Sequence, residues 1–348
     1  MATNIPDEKL FQFSKRVVNQ TVIITGAASG IGRETALQFA RFGANVVIGD
    51  INSEGAQKVV EEITADGGKA ISQKCNVLDF NSQIDLFELA VGTFGKVDVV
   101  IPNAGTAEPA RRITDIKLDT DGRPLKPDLF CLNLNYDSAI YTAHLAIHYF
   151  SKNQDVTSLR AIVMVASMLG FTSMPGAIEY CTSKHGIIGF VRAINPILRS
   201  QNIRIASVCP WFVDTPLVPD DTKTLLAGIP FSPIHRVAGA AFLAATDPLE
   251  VEVKTEKEGV IKISTLGAAY TIPDDREVYR IPNTEISEGV YALLNNRVRN
   301  IALIRKVQTL RTVLAYMKLV LGGRLSSALV GVGLIFSLYR VIKRISPR

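Results

Sequence analysis

The sequence is poor in the residues that bind metals and form cross-links. Its 348 residues include four cysteines and four histidines. Cys75, Cys131, Cys181 and Cys209 lie far apart, with neither a C-x-x-C pair nor a zinc-ligand spacing. Three of them sit on or beside apolar runs. Buried, reduced thiols and a cytosolic active site are therefore expected, and a disulfide scaffold is excluded. His144 and His148 stand at i and i+4 on one helical stretch, but no carboxylate or third ligand accompanies them. No metal site is expected. The N-terminus lacks the basic start and apolar stretch of a secretory signal, so the protein is expected not to be secreted. Acidic residues are missing after Glu288, whereas eleven Lys/Arg follow from Arg297 onward. The net charge of +5 thus divides into a tail of +11 and a body of −6. The body has no basic stripe, which excludes nucleic acid as a partner.

The body alternates strands with helices. Thr21–Thr25 is a β-branched run, followed by the glycine turn Gly26-Ala-Ala-Ser29-Gly30-Ile31-Gly32 and a helix from Arg33 to Phe42. In this context the glycines allow a tight turn and a close approach of backbone to a pyrophosphate. The next strand, Asn45–Gly49, ends in Asp50, eighteen residues after Gly32. A carboxylate there accepts both ribose hydroxyls of an adenosine and repels a 2′-phosphate. No basic residue follows Asp50 and Ser29 precedes Gly30, so NAD is expected as cofactor; Arg33 keeps NADP open. Ser53 is expected to cap a helix over 54–65. Strands follow at 69–75, ending at Asn76-Val77, and at 97–101, ending at Pro102-Asn103-Ala104-Gly105, with a helix over 81–94 between them. Residues 106–128 read as a loop, and 129–150 as a long helix carrying Asn135. The alternation predicts an α/β fold with a doubly wound parallel sheet.

The chain is organised around Ser167 to Lys184. Ala161–Ala166 reads as a buried strand. Ser167 leaves its carboxyl end, where such sheets place ligands. Thirteen residues on, Tyr180 and Lys184 share one face of a helix. A phenol has a pKa of about 10, and a neighbouring ammonium favours the phenolate. Ile203–Cys209 is a further strand, leading into Pro210-Trp211-Phe212-Val213-Asp214-Thr215. Residues 214–234 contain four prolines and suit a lid over the substrate. A helix is expected over 235–245 and a last strand over 259–263.

Taken together, Thr25-Gly26-x-x-x-Gly30-Ile31-Gly32, Asn103-Ala104-Gly105, Asn135, Ser167, Tyr180-x-x-x-Lys184 and Pro210…Thr215 resemble a short-chain dehydrogenase/reductase across roughly residues 18–290. The loop at 106–128, the segment 145–150 and Pro210-Trp211 resemble fungal, 15-hydroxyprostaglandin-dehydrogenase-like members, several of which serve terpenoid or polyketide pathways. The resemblance implies a single-domain Rossmann fold. It implies that Tyr180 is the general acid/base, that Lys184 lowers its pKa and holds the nicotinamide ribose, that Ser167 orients the substrate oxygen and that Asn135 positions a water. It also implies that Asp50 holds the adenosine ribose, that Thr25 to Gly32, Asn76, Val77 and Asn103 to Gly105 line the cofactor, and that Val213 and Thr215 meet its carboxamide end. Three positions depart from the family pattern. Asn76-Val77 replaces Asp-Val, Ser138 replaces a glycine, and Trp211 replaces the glycine of Pro-Gly. The last builds an aromatic wall that favours bulky apolar substrates.

The expected activity is NAD-dependent interconversion of a secondary alcohol and a ketone on a lipophilic terpenoid, steroid-like or polyketide substrate. The competing reading, a cofactor-binding scaffold without catalysis, predicts NAD binding without NADH formation. The family implies pairing, as a homodimer or homotetramer, through the helices holding Asn135 and Tyr180. Residues 1–17 read as an N-terminal extension. In the tail, 297–321 has amphipathic helical spacing, and Leu325–Tyr339 is fifteen uncharged residues flanked by Lys/Arg. As a helix that run spans roughly 22 Å, short of the ~30 Å hydrocarbon core. A basic amphipathic helix with an apolar end predicts that 297–348 associates with a membrane surface. The expected location is then the cytosolic face of a membrane such as the endoplasmic reticulum, or else the cytoplasm.

Overall fold

A computed structural model of the chain describes residues 2–108, 113–153, 158–255 and 259–283. A compact unit runs from Met1 to Asn283. The basic, apolar tail over 297–348 lies outside the described residues, and no helix among those described is long and apolar enough to cross a membrane.

The elements are β1 (Thr3–Ile5), β2 (Thr21–Thr25), α1 (Gly30–Arg41), β3 (Asn45–Asp50), α2 (Ser53–Ala65), β4 (Lys69–Lys74), α3 (Phe80–Phe94) and β5 (Val99–Ile101). There follow α4 (Phe130–Leu132), a π-helical turn over Asn133–Asp137, α5 (Ser138–Lys152), β6 (Ala161–Val165), α6 (Ile178–Arg199), β7 (Arg204–Pro210), α7 (Asp220–Leu225) and α8 (Ile234–Thr246). Two hairpins close the described chain: β8 (Glu250–Thr255) with β9 (Gly259–Ser264), and β10 (Ala269–Ile272) with β11 (Val278–Ile281).

Nine strands form one sheet in the order β1-β11-β10-β7-β6-β5-β2-β3-β4. All neighbours from β10 to β4 run parallel, and the edge pairs β10–β11 and β11–β1 are antiparallel. Alternate strand residues feed two cores. Val22, Ile24, Val46 and Ile48 pack with Phe39 of α1 and Phe242 of α8, whereas Ile23, Val47 and Met164 pack with Phe87 of α3 and Phe150 of α5. Burial on both faces explains why the parallel strands read as unbroken apolar runs. The strand order reverses between β2 and β5, so the carboxyl ends of these two strands frame the crevice where such sheets bind ligands.

Three local expectations are corrected. The side chain that caps α2 is Asn52, not Ser53; its amide oxygen accepts from the N–H of Gly55 at 3.0 Å. The long helix expected over 129–150 is interrupted at Asn133–Asp137, where π-type bonding widens one turn around Asn135. Gly259–Ser264 is not the last strand of the main sheet: it pairs only with Glu250–Thr255, and β10 and β11 continue the main sheet. The N-terminal segment is built into the unit. Thr3–Ile5 pairs with Val278–Arg280, and Leu10 and Val17 are buried in the core.

Candidate active site

The glycine turn is shaped by atoms that leave no room for a side chain. A Cβ on Gly26, whose φ is +67°, would stand 2.6 Å from Cα of Ala104, and one on Gly32 would stand 2.3 Å from the carbonyl oxygen of Gly26. Ser29 is the N-cap residue of α1, and its side chain makes no capping bond. The first bond of that helix runs from the N–H of Arg33 to the Ser29 carbonyl at 3.1 Å. The N–H groups of Gly30, Ile31 and Gly32 therefore precede the hydrogen-bonded ladder, the arrangement that attracts a phosphate. Thr215 lies directly over this turn, since a Cβ on Gly30 would be 3.3 Å from its side chain. Val213, two residues earlier, is buried in the core.

The ends of β2 and β5 are locked together beside the turn. Thr25 Oγ1 accepts from the N–H groups of Asn103 and Ala104 at 3.1 and 3.2 Å. The Asn103 amide donates to the carbonyls of Thr25 and Gly26 at 2.9 and 2.8 Å. Asn103 thus holds the turn in shape with its side chain. Asp50, at the end of β3, accepts from the N–H of Ala28 and of Asn52, both at 2.9 Å. Asn76 is exposed, its amide oxygen accepting from Leu78 N–H at 3.1 Å, and Val77 is buried beside it. A dinucleotide would fit this cradle, with bare backbone and free N–H groups for its pyrophosphate and the Asp50 carboxylate for its ribose.

Ser167 begins where β6 ends; its hydroxyl accepts from the N–H of Leu169 at 3.1 Å and acts to lower the pKa of the Tyr180 phenol. The same oxygen lies 3.4 Å from the carbonyl of Pro210, the residue before Trp211. Trp211 is half-buried with its ring edge-on to Phe212, and its backbone N–H donates to the Ile272 carbonyl at 2.8 Å. Lys184 is buried, and its ammonium sits 5.5 Å from the centre of the Tyr180 ring. Its Nζ donates to the Val165 carbonyl at 2.9 Å. Burial pushes the phenol up to about 12, against the lowering effect of the Ser167 hydrogen bond. Burial also pulls Lys184 down to about 8. The two side chains are therefore side by side on α6, with the Lys184 amine bonded to the Val165 carbonyl.

Asn135 is buried in the π turn, and its amide engages the main chain of Thr106. Thr106 and Glu108 carry no motif and escape sequence reasoning. Their positions depend on bonds to Asn135 and to the start of α6 that only the folded chain brings within reach. Gly105 leaves room for this contact, because a Cβ there would stand 3.0 Å from Asn135 Oδ1. All four cysteines are buried and unpaired, and burial pushes Cys131 and Cys209 up to about 12. His144 and His148 are exposed on α5, the first facing Phe80 and the second edge-on to Tyr149. The stretch expected as a lid contains α7, and its far end is pinned by Ser232, whose N–H donates to Phe212 O and whose hydroxyl donates to Ile272 O.

Residues 20–225 match the model of the short chain dehydrogenase family. The chain is similar to the cyclohexanol dehydrogenase of Acinetobacter sp. (strain SE19), with 34% identity over 59% of this chain and 77% of the relative. It is 31% identical to the 3-oxoacyl-[acyl-carrier-protein] reductase FabG of Thermotoga maritima, over 67% of this chain and 92% of the relative. A crystal structure of 3-ketoacyl-(acyl-carrier-protein) reductase from Brucella melitensis complexed with NADH matches with a TM-score of 0.58 and 25% identity, over 66% of this chain and 92% of that one. The chain belongs to the short-chain dehydrogenase/reductase family. It is an NAD(P)-dependent oxidoreductase acting on CH–OH groups.

Proposed function

We propose that this enzyme interconverts a secondary alcohol and a ketone on a lipophilic small molecule, with Tyr180 as the proton donor and acceptor. The reading is supported by the Lys184 ammonium 5.5 Å from the Tyr180 ring on α6, and by the Ser167 hydroxyl at the carboxyl end of β6, which lowers the pKa of that phenol. Bound NAD(P) supplies the hydride acceptor or donor. In oxidation Tyr180, as phenolate, takes the hydroxyl proton while the carbinol carbon loses hydride; in reduction the phenol returns that proton to the forming alkoxide. Ser167 holds the same oxygen, and Lys184 contributes positive charge close to the ring. Asn135 keeps the floor of the site in place through Thr106.

The apolar character of the substrate is supported by Trp211 and Phe212, which stack edge to face directly after Pro210, whose carbonyl lies 3.4 Å from the Ser167 oxygen. A ring alcohol is also the kind named for the Acinetobacter relative. Terpenoid, steroid-like and polyketide alcohols of secondary metabolism are the candidates. The tail over 297–348 would bring the enzyme to a membrane surface where such substrates partition; comparing the membrane fractions of the full chain and of a chain ending at 296 tests this, and equal distribution removes it. The central test is a panel of alicyclic secondary alcohols with NAD, run on the parent enzyme and on Tyr180→Phe. The variant is expected to keep NADH affinity, read by fluorescence, and to lose turnover by on the order of 10³-fold. Turnover near the parent rate would end the assignment of Tyr180.

A further inference from the structure

Helix α6, which carries Tyr180 and Lys184, is capped from outside. Its own N-cap residue, Ala177, has no side-chain acceptor to offer. Glu108 takes that place from the segment leaving β5. Its Oε2 accepts from the N–H of Tyr180 at 2.7 Å and its Oε1 from the N–H of Glu179 at 3.2 Å. These are the second and third N–H groups of the helix, the two that a local Ser or Asp cap would satisfy. A carboxylate is the favoured group at this end of the helix dipole.

The contact belongs to a closed circuit. The segment 103–108 is fastened by Asn103 to the glycine turn, at Thr106 to Asn135, and by Glu108 to α6. Glu179, next to Tyr180, is 3% exposed, and its Oε2 has no hydrogen-bond partner among the described residues. Burial holds the Glu179 carboxyl above its ordinary range, and the negative charges of Glu108 and Asp128 add to that. Glu108 thus ties the first turn of α6 to the β5 exit, and Glu179 buries its carboxyl in the same turn.

We infer that Glu108 is a positioning residue for Tyr180: its carboxylate fixes the turn of backbone from which the phenol projects. The inference rests on the reading of Tyr180 as the acid/base. A misplacement of about 1 Å is enough to reduce a rate by on the order of 10²-fold, so a frayed first turn would reach the chemistry without touching the cofactor cradle.

The test uses the full-length enzyme, NAD and the fastest alcohol of the panel, with Glu108→Ala and Glu108→Gln. Backbone hydrogen exchange of the peptide containing Glu179 and Tyr180 gives a readout independent of turnover. In Glu108→Ala, exchange in that peptide is expected to rise by on the order of tenfold, with kcat falling about tenfold or more and the KM for NAD within about twofold of the parent. Glu108→Gln keeps one acceptor oxygen and is expected to recover part of both losses; it also carries the test if the alanine variant fails to fold. Unchanged exchange overturns the inference, and so does faster exchange at parental kcat, which would make Glu108 a structural cap only. Normal turnover in Tyr180→Phe would instead remove the reading of Tyr180 and leave the exchange result for Glu108 standing.

Discussion

Asn135 grips the main chain of Thr106 with both ends of its amide, Oδ1 accepting from the N–H at 2.7 Å and Nδ2 donating to the carbonyl at 2.9 Å. The pairing imitates one rung of a sheet between a helix side chain and a loop. It is available because the π turn over Asn133–Asp137 swings the side chain toward the β5 exit. Removing the amide leaves a part-buried main-chain donor and acceptor without this partner, which costs about 1–3 kcal/mol in all. Asn135→Ala should therefore lower the unfolding free energy by roughly 2 kcal/mol and reduce kcat more than it raises the KM for NAD. Asn135→Asp keeps the acceptor, places a carboxylate against the Thr106 carbonyl, and should be as damaging despite its identical shape. Urea unfolding with steady-state kinetics checks both, and an alanine variant as stable as the parent would show that the clasp contributes nothing.

Cofactor choice turns on Asp50 and on what happens to Arg33. The Asp50 carboxylate holds Ala28 of the glycine turn and Asn52 after β3, so its position is fixed before any ribose arrives. Arg33 is the cation that would welcome a 2′-phosphate, but it forks onto both oxygens of Glu62 at 2.8 and 2.6 Å. A phosphate at this point meets the negative charge of Asp50 and a guanidinium shared with Glu62, both of which disfavour it. The ratio of kcat/KM for NAD over NADP is expected to be on the order of 100. Asp50→Ser should bring it down about tenfold, and adding Glu62→Ala, which frees Arg33, should lower it further. A parent enzyme that used the two cofactors equally would show that Asp50 does not decide the matter.

Much of this was legible in the sequence because the physics is local. A strand buried on both faces has to be apolar along its length, and β2, β3, β5, β6 and β7 were found that way. The glycine turn was readable because only glycine fits where Gly26 and Gly32 meet other backbone atoms. The far edge of the sheet was not readable. β11 carries Arg280, a charge that argues against a buried strand, yet its guanidinium is paired with Asp247 inside the fold. The alternation Val260-Ile-Lys-Ile263 looked like a better last strand, but it pairs in a separate hairpin, since pairing partners are chosen over long range. In the site, Tyr180, Lys184 and Ser167 followed from spacing. The direction of the Lys184 amine, toward Val165, and the cap from Glu108 did not, because each depends on a bond across the fold.

The buried Lys184 should make the cofactor-free enzyme less stable than its inactive variant. Burial lowers the amine from its ordinary value of 10.5 to about 8, so below pH 8 the folded protein holds a charge that the unfolded chain would solvate better. A shift of that size corresponds to roughly 3 kcal/mol, reduced by the hydrogen bond the ammonium gives to the Val165 carbonyl. The sign follows from proton linkage. Between about pH 8 and 10.5 the unfolded chain binds the proton that the native state has lost, so this group makes stability rise with pH across that window, and the benefit disappears as pH falls through 8. Lys184→Met fills similar space without charge. It should raise the melting temperature of the cofactor-free enzyme at pH 7, the gain should shrink toward pH 10.5, and alcohol oxidation should be lost. Calorimetry of parent and variant from pH 7 to 10 measures the difference. A variant that melts lower than the parent at pH 7, or a gap that widens with pH, would mean that the ammonium is held by attractions stronger than its desolvation.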